Sequence, residues 1–296
     1  MTTQASACLS LHAVLDCCCT ESGLASHFSL MDCIFGIFDV LGFTSFCENC
    51  DSNNAEKVLK IMDDFETDIP KMVWANLDAN NKAPQEKKEI VTSRLRWLVF
   101  SDTVFVALPI ELSADPDTLK FNLIFFTILV AWINRRMFEI GLPVRGAVHI
   151  GDVTISKRCF AGKSIVDAYK LGKRVQVAGT IISEQARAFI FNTFPNPTGF
   201  NQMFRNLIIE CDVSTGKNTS EKLKTLCWFY LQMGLNERFN IHMNLNRFIR
   251  EKFTAHGKKL LGQKEKNKVF NTEKLFTEWK IANFLDYQRS ISPKTS

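Results

Sequence analysis

Two aspartates each stand where a run of β-forming residues gives way to a turn. Asp39 lies near the end of Cys33–Val40 (CIFGIFDV), and Asp102 lies in the Ser101-Asp102 break between Arg94–Phe100 and Thr103–Leu108. Brought together, two such carboxylates are a ligand set for hard divalent cations, which prefer carboxylate and carbonyl oxygens. The residues after Asp39 read Leu41-Gly42-Phe43-Thr44-Ser45-Phe46. This is a Gly-containing, turn-like break whose backbone amides can cradle a phosphate ahead of the next helix. Taken alone, either aspartate serves equally well as a hydrogen-bonded turn residue. The pair gains a functional meaning only if the fold makes them neighbours.

The elements around them predict that it does. Cys33–Val40 reads as a buried central strand. Val58, Ile61, Met62, Phe65 and Ile69 fall at helical spacing in a stretch around Asn54–Trp74, and the polar ANLDANNKAPQEKKE that follows reads as a loop. Two strand-like runs flank Ser101-Asp102 in hairpin fashion. A long helix then covers about Asp117–Ile140, ended by Gly141 and Pro143, before the strand Val144–Ile150. The order is the βαββαβ, ferredoxin-like arrangement of an α+β fold. In it the third strand runs antiparallel beside the first, so the exit of strand one, with Asp39, meets the hairpin that carries Asp102.

Beyond this unit, Ser164–Arg174 and Glu184–Phe191 read as helices and Thr180–Ile182 as a short strand. Leu207–Val213 and Leu226–Leu231 read as a hairpin across the polar STGKNTSEK. After Asn236 the chain is helical and basic, and it becomes loosely polar around Lys258–Lys268. Three segments are expected: a leader at 1–30, disordered or over-translated, a main domain at 31–233, and a helical basic extension at 234–296.

Composition narrows the function class. The 296 residues are 46% hydrophobic and 23% charged, ordinary for a globular protein. The net charge of +5 is too small to argue for nucleic acid. Ten cysteines include Cys17-Cys18-Cys19 and a single C-x-x-C at Cys47 and Cys50. His12, His27, His149, His242 and His256 supply no second pair at zinc spacing, so reduced, buried thiols are expected. The apolar run Phe121–Ile133 is too short for a bilayer span and reads as a buried helix. With no secretory signal, a cytoplasmic protein free of membrane is the expectation.

The same residues carry a resemblance. Phe38-Asp39-Val40-Leu41-Gly42-Phe43-Thr44 resembles the F-x-D-I-x-G-F-T signature of class III adenylate and guanylate cyclases, and Phe100-Ser101-Asp102-Thr103 looks like their second metal-aspartate hairpin. Val144–Gly151 (VRGAVHIG) resembles their R-x-G-I-H-x-G strand, and Gly162–Tyr169 (GKSIVDAY) occupies the place of their G-x-x-V-N-x-A helix. Closer still is the bacterial branch that makes cyclic pyrimidine nucleotides in Pycsar antiphage defence. Asp39–Phe43, Ser101–Thr103, Arg145–Val148 and Ala168–Gly172 are similar to its D-I-L-G-F, S-D-S, R-G-A-I and A-Y-x-L-E. The Glu210–Val213 and Cys227-Trp228 segments also resemble its C-terminal hairpin.

This resemblance implies a class III-type palm with additional C-terminal strands and helices. It implies two Mg²⁺ or Mn²⁺ ions held by Asp39, Asp102 and the Val40 carbonyl. Backbone amides of Leu41, Gly42, Phe43 and Thr44, with Arg145, would meet the phosphates, and Arg96 would reach the base. The base-reading lysine of the purine enzymes is replaced by Leu98. Their transition-state asparagine and arginine fall on Val166 and Lys170, the latter a point charge in place of a guanidinium fork. These departures argue against ordinary adenylate or guanylate cyclase activity. They favour a pyrimidine cyclase acting on UTP or CTP, with a cyclic-nucleotide effector downstream, and the alternatives are an adenylate or guanylate cyclase and a silent nucleotide-binding module. A homodimer also follows from the resemblance. Plain structural roles stay open beside these: Arg145 pairing a carboxylate, Arg94 and Arg96 as solvated edge residues, Tyr169, Phe35 and Phe38 in the core, and Arg247, Arg250, Lys252, Lys258 and Lys259 as a solvated face.

Overall fold

The computed structural model describes residues 29–78, 84–111, 114–156, 159–194, 207–216, 219–228, 245–260 and 262–291. Nearly all of the expected leader, and residues 229–231 of the expected last strand, lie outside them. The first half contains β1 (Ser29–Val40), α1 (Phe43–Asn49), α2 (Ser52–Asp63), α3 (Phe65–Asp78), α4 (Gln85–Arg94), β2 (Arg96–Phe100), β3 (Thr103–Pro109), α5 (Pro116–Glu139) and β4 (Val144–Ser156). The second contains β5 (Cys159–Ala161), α6 (Lys163–Arg174), β6 (Gly179–Ile182), α7 (Glu184–Thr193), β7 (Ile208–Gly216), β8 (Thr219–Leu226), α8 (Leu245–Thr254) and α9 (Gln263–Ile291).

One sheet joins the described strands in the order β2-β3-β1-β4-β6-β8-β7, with β5 added to the far end of β4. β1 is antiparallel to both β3 and β4, and β2 is antiparallel to β3. This is the α+β, βαββαβ arrangement expected from the sequence, extended by β6 parallel to β4 and by the β7–β8 hairpin.

Strand alternation sorts the two faces. Ile34, Phe38 and Val40 of β1 join the main core with Val104, Val106 and much of α5, while Cys33, Phe35 and Ile37 belong to a smaller cluster on the opposite face under α6. Helix α5 is apolar on nearly every side, long and apolar enough to cross a membrane by length and composition alone. Most of it is buried in the fold. Two of its buried polar side chains are satisfied within the molecule, while Asn122 Oδ1 and Trp132 Nε1 find no partner among the described residues. Thr127 bonds the Leu123 carbonyl, and Asn134 bonds Val130 and accepts from Thr180 on β6.

Helix α6 lies close to the sheet because two glycines meet there. A Cβ on Gly172 would come within 3.2 Å of the Gly146 backbone, and one on Gly146 would sit 2.3 Å from the Ile37 carbonyl oxygen. The close approach brings the C-terminal end of α6 over the end of β1.

Several expected boundaries are corrected. The break after Asp39 is already a helix from Phe43. The single helix expected around Asn54–Trp74 is divided at Asp64. The polar stretch expected as a loop is largely helical: α3 runs to Asp78, and α4 is docked by Trp74, whose indole donates to Thr92 while its ring stacks on Phe125. STGKNTSEK is mostly strand, because ladder hydrogen bonds need no apolar side chains and Glu210 pairs with Lys224 across it. Residues 263–268 belong to α9, whose Val269, Leu275, Phe276 and Trp279 fill the core.

Candidate active site

Asp39 and Asp102 arrive at one corner of the sheet. Asp39 is opposite Thr103 on β3, and the Val40 amide donates to the Asp102 carbonyl at 2.8 Å. The hairpin between β2 and β3 is tight, with Ser101 at φ 53°. On the other side, the Leu41 amide bonds the Pro143 carbonyl at 2.8 Å. Gly42 then adopts φ 77° and starts α1, which has no side-chain cap.

On β4, Arg145 stands directly opposite Asp39 on the same face. Its Nε and Nη2 donate to Asp39 Oδ2 at 3.0 and 2.9 Å, and its Nη1 reaches the carbonyls of Lys173 and Val175 at 3.4 Å. The side chains are 11% and 16% exposed for Arg145 and Asp39. Lys173 Nζ lies 3.7 Å from the other oxygen, Oδ1. The bond that the Lys173 ammonium donates to the Tyr169 hydroxyl, then the charge of Asp39, raises the Lys173 pKa above its ordinary value against the opposing effect of burial. Lys268 on α9 is also close. Burial, then repulsion from Arg145 and Lys264, lowers its pKa.

Asp39, Asp102 and Val40 meet at this corner through the backbone, and their carboxylate and carbonyl oxygens are of the kind a hard divalent cation prefers. Oδ2 of Asp39 is taken by Arg145, which leaves Oδ1 as the oxygen a cation would use in competition with Lys173. Among the described residues no group of three or more His, Cys, Asp or Glu side chains converges as a metal site. Cys33, Cys211 and Cys227 are buried thiols, as expected, while Cys47 and Cys159 are exposed. Burial pushes the Cys33 thiol up to about 12.

Other expected residues scatter. Arg96 pairs with Ala107, at the end of the β2–β3 ladder away from Asp102, and its guanidinium bonds the Ser93 and Leu95 carbonyls at the end of α4. Arg94 bonds the Pro109 carbonyl and pairs with Glu111. Lys170 is exposed on α6 and Val166 is half-buried; the α6 lysine that touches Asp39 is Lys173, three residues on. Tyr169 is exposed rather than core, stacked under Lys173. Phe35 and Phe38 are fully buried as expected.

The C-terminal extension brings a further correction. Lys258, expected on a solvated face, is 5% exposed. Its ammonium donates to the Gly141 and Lys252 carbonyls, and its stem lies beside Gly42, where an added Cβ would come within 3.5 Å of it. Burial pushes its pKa down to about 7. His256 bonds the Ile140 carbonyl and packs edge-on against Phe46, while the Lys259 amide donates to Ser45 Oγ at 3.2 Å. The segment 255–259 thus straps α1. No spacing in the sequence signals these contacts. Lys173 alone had a local cue, as a helical neighbour of Lys170.

A cavity of about 550 Å³ lies elsewhere, between α6, β6, α7 and the β7–β8 hairpin, and takes in neither aspartate.

No protein-family model and no curated protein matches the chain. Among 39 matching chains of solved structures is the adenylyl cyclase CyaB from P. aeruginosa. It aligns at 12% identity over 68% of this chain and 95% of its own, with a TM-score of 0.38. Two structures of a bacterial light-regulated adenylyl cyclase align at 10% and 9% identity, over 70% and 68% of this chain, with TM-scores of 0.37 and 0.35. The alignments cover 55% and 53% of those two chains, so this chain spans about half their length. Likeness at this level assigns no activity.

Proposed function

We propose that this chain is a nucleotidyl cyclase whose substrate is a pyrimidine nucleoside triphosphate, UTP ahead of CTP. The observation that carries the reading is the corner where the Val40 amide bonds the Asp102 carbonyl while Asp39 faces Arg145. Asp39 with the turn that follows it, the Asp102 hairpin and Arg145 on β4 reach that corner from three segments of the chain. In this reading Asp39, Asp102 and the Val40 carbonyl hold two Mg²⁺ or Mn²⁺ ions. When bound, such ions acidify a ribose 3′-hydroxyl and offset triphosphate charge.

The chain's own groups do the rest. Arg145, released from Asp39 Oδ2 as the carboxylate engages its new partners, turns its fork to phosphate oxygens. Amides at Gly42–Thr44 donate to the remaining phosphate oxygens, the Leu41 amide being held by the Pro143 carbonyl. Lys173 and Lys268 add positive charge on the side from which pyrophosphate departs after in-line attack on the α-phosphorus. The pyrimidine preference rests on Leu98 and Val166, which remove the polar groups that a purine cyclase of this type uses. A homodimer accords with the partly covered face carrying Ile37, Leu98 and the exposed Phe100, across which Lys170 would serve the partner's site. The cyclic product would signal to an effector in antiphage defence within the cytoplasm.

A second reading is favoured by one observation. Arg145 is committed to Asp39 and to two carbonyls, and Val166 supplies no polar group, as suits a module that binds nucleotide without turnover.

Incubation with Mn²⁺ and each of ATP, GTP, CTP and UTP separates these outcomes. Pyrophosphate and a 3′,5′-cyclic monophosphate from UTP or CTP, abolished in Asp102→Ala, is the expected result. Turnover of ATP or GTP alone would overturn the base preference, and saturable binding without pyrophosphate would favour the silent module.

A further inference from the structure

The cavity of about 550 Å³ is of the size that takes a small organic ligand. It lies on the other side of α6 from Asp39. Asp167, Leu171 and Arg174 recur at helical spacing along α6 and line it, whereas Lys173 turns to Asp39. Its floor is apolar, with Leu171, Ile181 and Leu223.

Three features give it ligand chemistry. First, the amino end of α7 opens into it. Ser183 caps that helix by accepting from the Ala186 amide at 3.1 Å, and the Glu184 and Gln185 amides have no intrahelical acceptor. Second, His149 lines the cavity while only 7% exposed. Its Nδ1 meets Ser183 Oγ at 2.7 Å, and its Nε2 has no hydrogen-bond partner among the described residues. The Ser183 hydroxyl accepts from Ala186, so its own hydrogen is free for Nδ1, and the imidazole proton then sits on Nε2 as a donor.

Third, the charges at the rim are unequally spent. Arg187 is held by Glu184, Lys224 by Glu210 and Arg174 by Glu221. Lys222 and Asp167, both exposed, make no ion pair among the described residues. Lys222 lines the same cavity as the α7 amino end, a pairing that suits a phosphate, and the Asp167 carboxylate suits the hydroxyls of the same molecule.

We infer that this cavity is a second ligand site, built for a phosphorylated, hydroxyl-bearing small molecule of about mononucleotide size. The phosphate sits on the α7 amides with Lys222, the hydroxyls face Asp167, and the apolar floor takes the ring. The inference does not depend on the reaction assigned to the Asp39–Asp102 corner.

Calorimetry on the full chain, with chelator present, tests it using inorganic phosphate, ribose 5-phosphate and UMP. Ribose 5-phosphate and UMP are expected to bind saturably, and to bind still when Asp39→Ala and Asp102→Ala are combined. Lys222→Met should weaken both by about tenfold. Asp167→Asn should weaken both by a similar factor while leaving inorganic phosphate unchanged. Both substitutions are on the surface, and unchanged thermal melts would show that the fold is kept. Absence of saturable binding overturns the inference. So does binding that is lost with the two aspartates yet indifferent to Lys222→Met and Asp167→Asn. Inorganic phosphate binding as tightly as ribose 5-phosphate would overturn the recognition of hydroxyls.

Discussion

Arg145 and Asp39 face each other across β4 and β1, and two guanidinium nitrogens share one carboxylate oxygen at 2.9 and 3.0 Å. Such a pair, mostly shielded from solvent, costs more to break than to lack. Asp39→Ala leaves Arg145 without its counter-charge. We expect a loss of about 1–3 kcal/mol in urea unfolding, tempered by the residual exposure of both groups. Arg145→Met together with Asp39→Ala should recover part of it. A double variant no more stable than the aspartate variant alone would show that the unpaired arginine is not the source of the loss.

Lys268 is half-buried and repelled by Arg145 and Lys264, and the carboxylates of Glu265 and Asp39 offset this only in part, so its pKa is lowered. Lys268→Met should raise the melting temperature. It should also weaken a non-hydrolysable nucleoside triphosphate by roughly three- to tenfold. Unchanged affinity would detach Lys268 from the phosphate site.

Lys258 gives a pH signature. Its folded pKa, about 7, lies below the ordinary lysine value of 10.5. Between those values the unfolded chain binds the extra proton, so stability rises with pH across that window. Below it both states are charged and the full penalty of burying the ammonium is felt. Lys258→Met should remove this dependence, which is on the order of a few kcal/mol between pH 7 and about pH 10. Equal slopes in chemical unfolding for the native protein and the variant would refute the assignment.

The two glycines under α6 should respond very differently to alanine. At Gly146 the added carbon meets the Ile37 carbonyl at 2.3 Å, and neither strand can retreat without breaking the β1–β4 ladder. A loss above about 3 kcal/mol, or insoluble protein, is expected. At Gly172 the contact is 3.2 Å, and the helix gains up to about 1 kcal/mol of propensity. Thermal melts should find that variant within about 1 kcal/mol of the native protein. The turnover of nucleotide proposed for the Asp39–Asp102 corner should fall in that variant as Lys173 is lifted from Asp39.

The sheet was legible because its strands are short apolar runs bounded by turn residues, and the βαββαβ order by itself puts Asp39 beside the Asp102 hairpin. Polar segments were misjudged for one reason. α4 and the β7–β8 hairpin are held by backbone hydrogen bonds and by one docked face, so their side chains look like those of a loop. The cations around Asp39 were the least visible. Arg145 lay in a recognisable strand, but Lys173 depends on a glycine contact and Lys258 and Lys268 on the docking of distant helices.

The strap formed by residues 255–259 has a consequence for the order of events in synthesis. The Lys259 amide bonds Ser45 across 214 positions of chain, and Lys258 lies under Gly42. The turn after Asp39 is among the first parts of the sheet to leave the ribosome, yet it acquires its backing only after some 214 further residues have emerged. A nascent or prematurely terminated chain can therefore assemble the strands and still lack a finished corner. Competence is deferred until the strap itself has been made.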